Sequence, residues 1–181
     1  MSQRALIIID YTKDFVDGAL PVGEPAIQIE ERLCDITEEA ITAGAYVVFA
    51  VDKHSLHDPY HPETKLFPPH NIEGTEGREL YGRLADIYRK YKDRENVLYM
   101  DKTRYSAFAG TELELKLRER NIKDLYITGV CTDICDLHTC VDAYNLGYTI
   151  FVHTDAVASF NPAGHEWALQ HMKNCLGATL L

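Results

Sequence analysis

The stretch DLYITGVCTDICDLHTCVDAYNLGYTIFVHTDA, residues 124–156, decides the fold. Its first seven residues (124–130) and last nine (148–156) are short apolar runs rich in Ile, Val, Tyr and Phe, the composition of buried strands. Between them TDICDLHTCVDAYNLG (132–147) places apolar residues three and four apart and ends in Gly, as helices often do. A strand, a helix and a strand in close succession form a parallel pair joined by a crossover.

Outward from that unit the alternation continues. ALIIID (5–10), YVVFAVD (46–52) and NVLYMDK (96–102) have the same strand character. Helical spacing recurs at 26–44, 77–91, 111–121 and about 163–175, before a short ATLL tail with room for one more strand. The pattern predicts an α/β protein, a three-layer α/β/α arrangement around a mainly parallel central sheet. No repeat or linker interrupts residues 1–181, so a single domain is expected. A chain of this length buries roughly 70% of the surface it exposes when unfolded, enough for a core without disulfides.

Composition narrows the function. The formal charge is −10, and the basic residues are scattered among acids, which argues against a nucleic-acid surface. No apolar run reaches the roughly 18 residues of a membrane span. The opening MSQRALIIIDYTKDF is unlike a signal peptide, so the cytoplasm is the expected location. The five cysteines, an odd number, then read as free thiols. A small-molecule substrate is the expected partner.

The polar residues at the strand ends carry the chemistry. Asp10, Asp52 and Lys102 close the first three strands, and Cys135 falls in the first turn or so of the helix after the fourth. Open α/β sheets bind ligands outside the carboxyl ends of their strands, so these residues converge on one edge. Singly, each reads equally well as a helix cap or an exposed loop charge. Helix-terminal N–H groups and a nearby Lys favour the thiolate of Cys135, making it a candidate nucleophile with Lys102 as stabiliser and Asp10 as proton carrier. The plain alternative for Cys135 is a small buried hydrophobe.

The irregular stretch 54–77 holds four of the seven prolines and four of the eight histidines, and such long loops are usually functional. Asp52, His54 and His70, with Glu63 near them, offer imidazole and carboxylate ligands for a divalent transition metal. Asp52 and His54 share one side of an extended chain. His57 and His61 stay open as further ligands.

Asp10 in DYTKDF, Lys102 in DKTRYSAF, the DKH and PPH stretches, and GVCTDICDLHTCVDAYNLGY together resemble the cysteine hydrolases of the isochorismatase-like superfamily. Within it they look most like the members that hydrolyse nicotinamide. The resemblance spans nearly the whole chain in the right order. It implies a catalytic triad of Asp10, Lys102 and Cys135, and one metal ion per chain on Asp52, His54 and His70, with Glu63 joining directly or through water. Zinc is the first expectation, manganese or iron the alternatives. It implies that the metal takes the pyridine nitrogen of nicotinamide and leaves the carboxamide facing Cys135, with Phe15, Phe67 and Tyr105 walling the ring. It also places a cis peptide bond between Val130 and Cys131. The reaction it implies passes through a thioester to nicotinic acid and ammonia, a step of NAD salvage. Backbone N–H groups of Cys131 and Cys135 are the natural donors to the oxyanion. Folds of this kind often associate through helical faces, which leaves room for a homo-oligomer.

The chain departs from the family pattern in places. DYTKDF replaces the commoner Asp, Val or Leu, then Gln-Asn-Asp-Phe; Cys131 and Cys140 stand where smaller or aliphatic residues are usual. Asp136, directly after Cys135, is expected to point outward or cap the helix, since an inward acid raises the thiol's pKa. Cys140 is expected to pack. Three alternatives remain: hydrolysis of another small amide such as an N-carbamoyl compound or ureidoacrylate, a structural zinc on Cys131, Cys135, His138 and Cys140, and thiol redox chemistry. The zinc set lacks the usual C-x2-C knuckle and one shared helical face, and no C-x-x-C is present for redox work.

Overall fold

In the computed structural model, which describes residues 4–181, every strand of the sheet runs parallel. The strands are β1 (Arg4–Ile9), β2 (Tyr46–Asp52), β3 (Val97–Lys102), β4 (Asp124–Val130), β5 (Thr149–Ala158) and β6 (Thr179–Leu180), in spatial order β3-β2-β1-β4-β5-β6. Side chains alternate across the sheet, and both faces are covered. Ile7 and Ile9 pack with α5 (Leu113–Glu119), α6 (Leu137–Asn145) and α7 (Pro162–Leu176) on one side. Leu6 and Ile8 pack with α2 (Glu24–Gln28), α3 (Glu30–Thr42) and α4 (Gly82–Tyr91) on the other. A short turn, α1 (Lys13–Val16), follows β1. These are the three expected layers.

Strand order reverses between β1 and β4, each the neighbour of the other, and such switch points open a crevice at the carboxyl edge. β4 must approach β1 closely there. Gly129 has φ 120, and a Cβ on it would lie 2.0 Å from the carbonyl oxygen of Ile9, so only glycine fits.

Apart from α7, the helices are shorter than the spacing predicts: 26–44 breaks at Ile29 between α2 and α3, and 111–121 narrows to α5. The expected helix 77–91 begins at Gly82, because residues 76–80 serve the loop instead: Glu76–Arg78 form a 3-10 turn and Leu80 bridges to Thr12. The expected helix 132–147 divides into a wide turn, Thr132–Asp136, and α6. Its Asp136 N–H reaches back five residues to the Cys131 carbonyl (3.1 Å). The peptide bond between Val130 and Cys131 is cis, as the resemblance implies.

Candidate active site

Four chain segments meet where β1 to β4 end. Asp52 and Lys102 are register partners on adjacent strands, so their side chains leave the sheet together. Asp10 follows β1 at φ 54, a left-handed conformation that aspartate tolerates better than most residues. Its Oδ1 accepts the N–H of Asp52 (2.8 Å) and its Oδ2 lies 2.7 Å from Lys102 Nζ. Lys102 Nζ is also 2.6 Å from Asp52 Oδ1, donates to the Arg104 carbonyl (3.1 Å), and stands 3.7 Å from Cys135 Sγ. All four side chains are buried.

Burial and charge set the proton positions. Burial, reinforced by the Asp52 charge and opposed by Lys102, pushes Asp10 up to about 7. Burial also opposes ionisation of Asp52, but Lys102 and His54 outweigh it and hold that carboxyl below its usual range. Lys102 resists burial because two carboxylates face it, and its pKa rises well above the ordinary value. Burial dominates at Cys135 too: the thiol lies well above its usual value despite Lys102. Burial thus opposes the thiolate that Lys102 favours. The Cys135 sulfur and the Asp10 and Asp52 carboxylates each offer an atom within 4.8 Å of the others.

Next to this cluster lies a second one. Asp52, His54, Glu63 and His70 are all buried, and each offers a ligand atom within 4.8 Å of the others. Asp52 Oδ2, His54 Nε2, Glu63 Oε1 and His70 Nε2 have no hydrogen-bond partner. Four buried polar atoms without partners are costly, and one cation would satisfy them together. Two imidazoles and two carboxylates suit zinc or a similar ion. His70 Nδ1 is engaged by the Pro68 carbonyl (2.7 Å), which turns Nε2 inward. His61 is excluded as a ligand: its Nδ1 accepts the Glu63 N–H (3.2 Å), and its Nε2 donates to the Thr103 carbonyl (2.7 Å). His57 is exposed.

The three aromatics surround this ground. Phe15 and Phe67 have ring centroids 5.2 and 6.2 Å from that of His70. Tyr105 packs against His138 with its ring tilted and the centroids 5.2 Å apart; burial, then the charges of Glu63 and Cys135, push its hydroxyl up. The alternative zinc set does not assemble, because His138 is exposed with Nδ1 on the Ile134 carbonyl, while Cys140 is sealed in the core.

Asp136 contradicts expectation. It neither points outward nor caps α6, but is fully buried with both carboxylate oxygens unpartnered. The wide turn rotates it inward, and burial raises its pKa well above the ordinary carboxyl value.

Other residues hold the loop that sequence reasoning passed over. Asn71, at φ 45 directly after His70, donates its N–H to Asp14 Oδ2 (2.8 Å) and accepts from Thr12 Oγ1 (2.9 Å). Arg78 donates Nε to the Asp52 carbonyl (2.7 Å) and pairs with Asp101. The polar residues of DYTKDF were the available signal for the first pair; nothing in the sequence marked Arg78.

Comparison with known proteins agrees along the whole described chain. The isochorismatase domain family matches residues 4–181. The isochorismatase family protein PncA of Bacillus subtilis (strain 168) is 63% identical over 178 residues, 97% of each chain. The crystal structure of nicotinamidase/pyrazinamidase PncA from Bacillus subtilis has a TM-score of 0.97 at 63% identity, over 99% of each chain. The pyrazinamidase of Pyrococcus horikoshii, crystallised in complex with zinc, has a TM-score of 0.86 at 29% identity, again over 99% of each chain.

Proposed function

The chain belongs to the isochorismatase family, and we propose that it hydrolyses nicotinamide to nicotinic acid and ammonia with Cys135 as nucleophile. One observation carries the reading. Asp52 faces two ways, with Oδ1 on Lys102 of the Asp10–Lys102–Cys135 cluster and Oδ2 among the four orphaned ligand atoms. A group that binds a ring and a group that attacks an amide thus share one side chain. The similarity to nicotinamidase/pyrazinamidase structures supports the same substrate class.

The reaction follows from the proton positions. Cys135 gives its proton to Asp10 as sulfur attacks the amide carbon, and the amide oxygen takes the negative charge. Backbone N–H groups of Cys131 and Cys135 receive that oxyanion. Lys102 keeps its charge throughout, balancing the Asp10–Asp52 pair. Collapse breaks the C–N bond; Asp10 returns the proton to the departing ammonia and leaves a thioester on Cys135. Water then attacks as Asp10 takes its proton; the C–S bond breaks, Asp10 passes that proton to the departing sulfur, and the nicotinic acid released loses its own proton to solvent.

Asp52, His54, Glu63 and His70 would hold a metal ion, zinc first, and a bound ion supplies a coordination position for the pyridine nitrogen. Phe15, Phe67 and Tyr105 would wall the ring. The test is product analysis from a panel of small amides. Ammonia and nicotinate from nicotinamide are expected; turnover confined to N-carbamoyl compounds would retire the nicotinamide assignment and leave the hydrolase one standing.

A further inference from the structure

Residues 159–165, between β5 and the first turn of α7, take no part in the steps above, yet they grip the turn that carries the oxyanion donors. Ser159 Oγ donates to Asp133 Oδ1 (2.6 Å), and Asn161 Nδ2 reaches Asp133 Oδ2 (3.4 Å). The Asn161 N–H donates to Ser159 Oγ (3.1 Å), and its Oδ1 accepts the Gly164 N–H (3.1 Å), which caps α7. Gly164 lies so close that a Cβ there would be 2.0 Å from Asp133 Oδ2. One residue on, His165 Nδ1 shares a hydrogen bond with Thr132 Oγ1 (2.9 Å), and Thr132 is wholly buried.

Thr132 and Asp133 are the first two residues between Cys131 and Cys135, whose N–H groups the proposed reaction needs. Both are held from one neighbouring segment. Donors to an oxyanion work only when fixed before the charge develops, and a displacement near 1 Å costs about 100-fold in rate. We infer that His165 is a positioning residue for the oxyanion-binding N–H groups, acting through its hydrogen bond to Thr132.

The inference rests on the proposed hydrolase reading, and the test separates the two. His165→Ala should lower kcat about 10- to 100-fold with KM unchanged. It should weaken inhibition by pyridine-3-carbaldehyde by the same factor, because the thiohemiacetal on Cys135 places an oxyanion in the same donors. Alkylation of Cys135 by iodoacetamide, which develops no oxyanion, should keep its wild-type rate. His165→Asn, whose amide reaches the place of Nδ1, should recover most of the loss. Thr132→Val removes the same bond from the buried side and should repeat the His165→Ala pattern, which decides the matter if His165→Ala fails to fold. Wild-type kcat and aldehyde affinity in the variants that fold would overturn the inference, as would kcat and alkylation falling together with the aldehyde affinity intact. A wild-type protein inert towards nicotinamide would overturn the functional reading instead. The same comparison, run with the amide it does hydrolyse and the matching aldehyde, would then decide the role of His165.

Discussion

Replacing Asp136 by Val should stabilise the protein, increasingly so as the pH rises. The carboxyl group is fully buried and neither oxygen has a hydrogen-bond partner. Burial, reinforced by Asp10 and Asp133 and opposed by Lys102, lifts its pKa well above the ordinary 3.8. Two contributions follow. An unsatisfied buried polar group costs about 1–3 kcal/mol. The second depends on pH, because the folded pKa is raised above the unfolded one. Below about pH 4 both states hold the proton and this contribution vanishes. Above it the unfolded chain releases a proton that the folded chain keeps, and stability falls by about 1.4 kcal/mol per pH unit until the folded group ionises. Valine has a similar volume and removes both contributions. For a chain of this size, about 1 kcal/mol moves the melting temperature roughly 2–4 °C. Thermal melts of wild type and Asp136→Val in matched buffers from pH 4 to 7 should show a gap of about 2–12 °C at pH 4, widening by roughly 3–6 °C per pH unit for as long as the folded carboxyl keeps its proton. Equal melting temperatures, or a gap that stays constant with pH, would refute the reasoning.

Further outcomes can be checked directly. Cys135→Ala should abolish nicotinamide turnover while Cys131→Ala and Cys140→Ala keep most of it, and mass spectrometry should find iodoacetamide on Cys135 first; a working Cys135→Ala enzyme would displace the nucleophile. Lys102→Met leaves Asp10 and Asp52 facing each other without their ammonium group, and urea unfolding should show a loss of about 3–5 kcal/mol. Elemental analysis should find one transition-metal ion per chain in the wild type and none in a His54→Ala, His70→Ala double variant, and full occupancy in that variant would move the site elsewhere. Gly129→Ala should yield little soluble protein, since its methyl group meets the Ile9 carbonyl.

The strands were legible because each is a short apolar run bounded by polar residues, and their ends fell within a residue or two of the observed ones at β1 to β4. Helix limits were less legible where a side chain had other obligations. Residues 77–81 have helical spacing, yet Leu80 pairs with Thr12 and Arg78 turns to the Asp52 carbonyl, so tertiary contacts override local preference. The residues gathered at the site were likewise visible, since strand ends in a parallel sheet share an edge. Their supports, Asn71, Arg78 and His165, were not, because each acts through a partner tens of residues away.

The amino-acid order by itself determined the layered α/β fold and the edge where chemistry collects, with Asp10, Asp52, Lys102 and Cys135 gathered there. Only the tertiary structure decided which histidine is free to bind, because His61 and His70 differ in what their second nitrogen touches and not in their spacing. It alone decided that burial works against Lys102 at the Cys135 thiol and that Asp136 lies inside. Proton affinity depends on how much water burial removes and which distant charges remain, and no local stretch of sequence contains either quantity.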